Sequence, residues 1–330
     1  MTPLRGSLLD RRLLIIAGKG GVGKTTIACA LGLVAAQAGK RTLLAEVDGA
    51  GRAAWLLGIE PAPVGEAKEA RPSLSVMSVD GSASLAEYLE IIVPVKRVLQ
   101  AVLSSRIYQY FVAAAPGLKE LMTIGKIWYE AERSDDGRRR WDLVIFDAPA
   151  TGHSLQYLRM PHAAHEAFGA GLVGRESQRI VDLLTDPRRT AISLVTTAEE
   201  MPVNETLEMH RQIRGDLHVP LGVLFVNRVH HCDFVASDVD GAAMRLEDLP
   251  DSLQRTIAEE AVSRGREEAG WSAINRTYLD QLRQQIDMPL VEIPFAFTEE
   301  FGTTQVQDIA ATIAPVVTRP ARRTHADVRS

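Results

Sequence analysis

The chain has 330 residues, 46% of them hydrophobic and 24% charged, with a formal net charge of −5. Those proportions predict an ordinary soluble protein able to bury a large core, and the acidic balance argues against a dedicated nucleic-acid binder, which normally shows a basic face. Two cysteines, Cys29 and Cys232, far apart and in no metal spacing, predict a reducing, cytoplasmic setting rather than a disulfide framework. No export signal and no run of about 18 apolar residues is seen, so no membrane span is expected.

After a short N-terminal extension, residues 1–10, strand and helix signals alternate almost end to end. Apolar strands are predicted at Leu13–Ala17, Thr42–Val47, Leu74–Val79, Leu143–Phe146, Ala191–Thr196, Gly222–Val226 and Leu290–Ile293. Each is short, rich in Val, Ile and Leu, and apolar at successive positions, as strands covered on both faces are. Helices are predicted over Thr25–Ala38, Ser84–Ser104, Leu118–Glu132, Val203–Arg214, Ser252–Gln285 and Thr303–Ala314, with Pro94 kinking or splitting the second. Helical inserts at about 82–132 and 160–188 interrupt the rhythm and are candidates for a cap, or ordinary core helices. Glu132–Arg140 reads as a charged loop, and 318–330 as a disordered, Arg-rich tail. The fold class is α/β: a doubly wound, mostly parallel sheet of seven or eight strands with a helical cap, in one domain over residues 11–317.

Gly18-Lys19-Gly20-Gly21-Val22-Gly23-Lys24-Thr25, followed by Thr26, satisfies G-x-x-x-x-G-K-[ST] between a strand and a helix. Glycines let backbone N–H groups ring a phosphate, and the following helix points its positive end at the same anion. Lys24 neutralises phosphate charge, and Thr25 supplies a hydroxyl for Mg²⁺. Downstream, Trp141-Asp142-Leu143-Val144-Ile145-Phe146-Asp147 is an apolar strand ending in a carboxylate suited to the same Mg²⁺.

The form GKGGVGKTT resembles the deviant P-loop, and Asp147-Ala148-Pro149-Ala150-Thr151-Gly152-His153 resembles the second switch of the arsenite-pump and tail-anchored-protein-targeting ATPases, the ArsA-like anion-transporting family. The resemblance covers most of residues 11–316 in element order. It implies an ATP-hydrolysing dimeric switch with ATP and Mg²⁺, coupled to a protein or membrane-associated client in targeting or transport. Lys19 would cross to the partner's phosphates, Asp48 would open the first switch, and Asp147, Pro149, Thr151, Gly152 and His153 would form the second. Asn227, closing the strand Val223–Val226, would contact adenine, with Pro294 and Phe295 packing round the base.

The chain also departs from the family pattern. The acid that orients the attacking water, seven positions after Asp48, is replaced by Trp55, and an indole cannot polarise water. This leaves open a weakly hydrolysing or non-hydrolysing nucleotide-binding subunit of a heterodimer beside the homodimeric ATPase. There is no C-x-x-C pair for a bridging zinc and no cysteine set for arsenite, so neither site is expected. The apolar residues of 82–111 are a candidate client surface.

Overall fold

The computed structural model describes residues 6–47, 51–92, 105, 117–149, 154–246 and 252–319. Its strands are β1 (Leu13–Ala17), β2 (Thr42–Val47), β3 (Lys68–Arg71), β4 (Leu74–Val79), β5 (Ser134–Asp135), β6 (Arg138–Arg139), β7 (Leu143–Asp147), β8 (Thr190–Thr197), β9 (Leu221–Val229) and β10 (Leu290–Pro294). Eight form one sheet in the order β10-β9-β8-β1-β7-β2-β4-β3, while β5 and β6 make a separate ribbon. All neighbours in the large sheet run parallel except β3, which pairs antiparallel with β4 at the edge.

The described helices are α1 (Lys24–Gln37), α2 (Arg52–Leu56), α3 (Gly81–Ile92), α4 (Leu118–Glu132), α5 (Ser154–Phe168), α6 (Leu172–Thr185), α7 (Glu200–Gln212), α8 (Ala236–Ala243), α9 (Ser252–Gln285) and α10 (Thr303–Val317). They cover both faces of the sheet, and the alternation of β1 shows how. Leu13, Ile15 and Ala17 join one core with side chains of α4, α5, α6 and α7. Leu14 and Ile16 join the other with α1 and α10. A strand buried on both faces has no polar side to display, so it reads as a continuous apolar run.

All seven predicted strands form, three with the predicted bounds and four longer by one to four residues. β3 is not among the predicted strands. Its sequence, Lys-Glu-Ala-Arg, has one buried residue, Ala70, and otherwise carries charges that protect a sheet edge from further pairing. The charged segment 132–140 contains the β5–β6 ribbon, turning through Asp136 and Gly137, both at positive φ. Residues 154–185 form two helices separated by Gly169–Gly171, so helix begins before the predicted insert. Helix α7 starts three residues earlier than predicted and ends in a π-turn over Ile213–Leu217. Within the segment read as an extension, Leu8 and Leu9 are buried, and Ser7 Oγ donates to the Val317 carbonyl. The predicted helix at 84–104 is described only as far as Ile92. Pro94, most of the 82–111 candidate surface and tail residues 320–330 lie outside the described residues. Among the described residues, no helix is long and apolar enough to cross a membrane.

Candidate nucleotide site

The order of the sheet places a crevice at β1. The chain leaves β1 toward β2 on one side, while β8 and β9 lie on the other, and ligands in such sheets bind beyond the carboxyl ends of the strands where this reversal occurs. The glycine loop is at that point, between the end of β1 and the start of α1.

Two glycines there are required by geometry. Gly18 has φ +151°, and a Cβ on it would lie 2.1 Å from the Val195 carbonyl oxygen of β8. Gly23 has φ +97°, and a Cβ would lie 2.3 Å from Asn227 Nδ2. The loop is therefore pressed against β8 and β9, and only glycine permits that approach. Gly23 is also the residue before α1, so the unpaired N–H groups of the helix's first turn begin at the loop.

Lys24 is buried, and its Nζ donates to the Lys19 carbonyl at 3.1 Å. Burial pushes its pKa down, with Asp147 pulling it back up. A desolvated ammonium folded against its own loop is ready to face phosphate oxygens. Thr25 Oγ1 donates to Asp147 Oδ2 at 2.6 Å. Asp147 is 4% exposed, and its other oxygen, Oδ1, has no hydrogen-bond partner among the described residues. Burial raises the Asp147 pKa to about 7, against the Thr25 hydrogen bond and Lys24, while Glu46 raises it further. An orphaned oxygen on a buried carboxylate costs free energy unless a cation or proton completes it. A hydroxyl and a carboxylate oxygen are also the donor set that Mg²⁺ prefers. The residues present therefore fit Mg²⁺: Thr25 and Asp147 would hold it.

Lys19 Nζ is 2.8 Å from Glu205 Oε1 of α7, a half-exposed ion pair that tethers the loop to its own subunit. Asn227 is 6% exposed and its Nδ2 donates to the Val22 carbonyl at 2.9 Å. Its amide thus braces the glycine loop. Past Asn227 the chain makes an aromatic shelf. The His230 ring stacks on Phe295, with centroids 4.5 Å apart, and on Trp271 at 5.9 Å, while Phe297 meets both His230 and Phe295 edge-on. His230 Nδ1 lies 2.8 Å from Glu268 Oε2, and its backbone N–H donates to Asn275 Oδ1, whose Nδ2 donates to the Ala198 carbonyl. Pro294 ends β10 at this shelf and is exposed.

The structure brings Lys19, Gly20, Gly21, Val22, Gly23, Lys24, Thr25, Thr26 and Asp147 together, with Asn227 behind the loop. Pro149 is half-buried just past β7. Asp48, Thr151, Gly152 and His153 lie outside the described residues. Trp55, on α2, is 63% exposed. A carboxylate that sequence reasoning did not single out lies under α2: Glu46 of β2 is buried, pairs in register with Asp147, and lies against the backbone of Ala53. Burial raises its pKa, opposed by the N–H groups of Ala53 and Arg52. A signal existed, since Glu46 is the one charge in an otherwise apolar or neutral strand, Thr-Leu-Leu-Ala-Glu-Val.

Residues 11–172 match the model of the anion-transporting ATPases. This segment belongs to that ArsA-like ATPase family. The chain is similar to ATPase BagA of Mycobacterium tuberculosis, 34% identical over 222 residues, covering 66% of this chain and 65% of the relative. It is similar to the arsenical pump-driving ATPase of Escherichia coli, 28% identical over 222 residues, covering 61% of this chain and 36% of the relative. A third similarity is to ATPase get3 of Schizosaccharomyces japonicus, 30% identical over 188 residues, covering 53% of this chain and 54% of the relative. The chain thus spans just under two-thirds of the mycobacterial relative and about half or less of the other two.

Proposed function

We propose that this protein binds ATP with Mg²⁺ at the β1–α1 loop and hydrolyses it to ADP and phosphate as a homodimeric switch that delivers its conformational change to a protein or membrane-associated client. The observation that carries the reading is the pairing of Thr25 and Asp147 beside a buried Lys24, with Asp147 Oδ1 left open. Relatives named as ATPases, one of them pump-driving, support the same activity. We place the protein in the reducing cytoplasm, where Cys29 and Cys232 stay free.

The chain's own groups account for the steps. Backbone N–H groups of residues 20–26 and the positive end of α1 hold the phosphates. Lys24 stabilises charge on them. Thr25 and Asp147 would hold Mg²⁺, which would supply positive charge to the phosphates. Thr25 and Asp147 fix where that charge is met, and Pro149 onward carries the change away from the sheet. Lys19 must leave Glu205 before it can reach a partner's phosphates. A half-exposed pair of this kind is worth roughly 0–1 kcal/mol, so its release is cheap beside a multiply charged phosphate.

The second reading is a weakly hydrolysing or non-hydrolysing subunit of a heterodimer, favoured by Trp55, exposed on a helix that carries no acid. The deciding experiment is Mg²⁺-dependent ATP turnover by the purified protein beside Lys19→Ala and Lys24→Ala, with mass by light scattering. Turnover by a dimer that either lysine change abolishes supports the switch. Tight ATP binding without turnover would replace it by the regulatory subunit.

A further inference from the structure

Helix α2, which follows the segment where the first switch is expected to open, consists of Arg52, Ala53, Ala54, Trp55 and Leu56 and has no carboxylate. One lies beneath it. Glu46 is 2% exposed and stands in register with Asp147 on the neighbouring parallel strand. Side chains in register on parallel neighbours leave the same face of a sheet, so the two acids share the face covered by α1. The Glu46 oxygens lie 3.4 and 3.3 Å from the Ala53 backbone N, placed to accept its N–H. From the other side, Cys29 of α1, wholly buried, puts Sγ 3.8 Å from the Ala53 carbonyl.

A carboxylate in this position needs a reason. Burying one is costly unless it is hydrogen-bonded or paired, and a small neutral residue would satisfy the strand without that cost. What Glu46 obtains here is the first turn of α2. Glu46 and Ala53 are seven residues apart, so their contact fixes both ends of the connection from β2 to α2. That connection leaves β2 beside the Mg²⁺ acid and arrives at the helix bearing Arg52 and Trp55.

We propose that Glu46 is a positioning residue that latches α2 to the strand beside Asp147, so that the helix moves with the Mg²⁺ side of the site. The latch works as a hydrogen-bond acceptor for a backbone N–H. Its kinetic consequence rests on the reading of the protein as an ATP-hydrolysing switch; its structural consequence does not.

The test compares the full-length protein with Glu46→Gln and Glu46→Ala. In nucleotide-free protein, amide hydrogen exchange over 53–57 is expected to quicken about tenfold or more in Glu46→Ala while β1 and β7 keep their protection. Glu46→Gln, whose amide oxygen still accepts, is expected to stay within about threefold of the wild type. In turnover, Glu46→Ala is expected to lower kcat about tenfold with KM and ADP affinity within about twofold, because the phosphate cradle is untouched; Glu46→Gln restores kcat. Should Glu46→Ala fail to fold, Ala53→Pro removes the Ala53 donor, leaving only the Arg52 N–H, at a first-turn position that tolerates proline, and is expected to loosen the same segment. Unchanged exchange over 53–57, equal loosening of the whole sheet, or a Gln variant as impaired as the Ala variant would each overturn the latch. A wild type that binds ATP without hydrolysing it would count against the ATPase reading alone, since the exchange measurement still decides the latch.

Discussion

The two flanks of the glycine loop differ in what they leave unsatisfied. Toward β9 the polar groups are paired: Asn227 with the Val22 carbonyl, His230 with Glu268, and Asn275 with both His230 and Ala198. Toward β7 and β2, the buried Asp147 has an oxygen without a partner among the described residues and a pKa raised by burial, with Glu46 as a second buried acid in register. A flank with its hydrogen bonds made is a wall that sets the position of the loop. A flank with an open carboxylate stores unfavourable free energy that a cation can release. The difference assigns rigidity to one side and ligand response to the other.

Breaking the responsive flank has the largest expected effect. Asp147→Asn and Lys24→Ala are each expected to reduce turnover by about 100-fold or more, the scale seen when groups facing developing charge are removed, checked by steady-state phosphate release. On the rigid flank, Asn227→Ala removes the brace and leaves the buried Val22 carbonyl without it. A loss of about 1–3 kcal/mol in stability is expected in denaturant unfolding, with weaker ADP binding that follows the loop's disorder.

The pH dependence separates the flanks next. In the free protein burial pushes the Asp147 pKa up to about 7, well above the ordinary carboxylate value of 3.8. The native state therefore holds a proton that the unfolded state has lost, and this group makes stability fall as pH rises between those values, with the full penalty above about 7. Thermal unfolding of the nucleotide-free protein is expected to show a steeper loss from pH 5 to 8 than Asp147→Asn does, and Mg²⁺ with nucleotide is expected to flatten the wild-type curve. The smallest effect concerns the tether. Glu205→Gln is expected to leave stability within about 1 kcal/mol, as for exposed pairs, while lowering the ATP concentration needed for half-maximal dimerisation by light scattering.

Much of this is legible from residue order, for stated physical reasons. The cradle is contiguous, so Gly18 to Thr25 read directly as a loop between strand and helix. Strands covered on both faces appear as apolar runs, and their ends fall within a few residues of the structure. Lys68–Arg71 is a strand because β4, just after it in the chain, offers it an edge, and its charges conceal that. Residues whose role depends on distant partners also read poorly. Asn227 is legible as a strand-end amide, but its partner, Val22, is 205 residues away. Glu46 carried a local signal, an acid inside an apolar strand, whose meaning appears only once β2 lies beside β7. The shelf of His230, Trp271, Phe295 and Phe297 joins three segments that nothing in the sequence links.

The central claim is that Asp147 with Thr25 is a Mg²⁺ site facing the phosphate loop. Its most direct test is calorimetric titration of ADP into wild type and Asp147→Asn, each with and without Mg²⁺. The account predicts that Mg²⁺ strengthens binding to the wild type about tenfold or more and that Asp147→Asn loses most of that gain while keeping its Mg²⁺-free affinity. Equal Mg²⁺ enhancement in both proteins would contradict it.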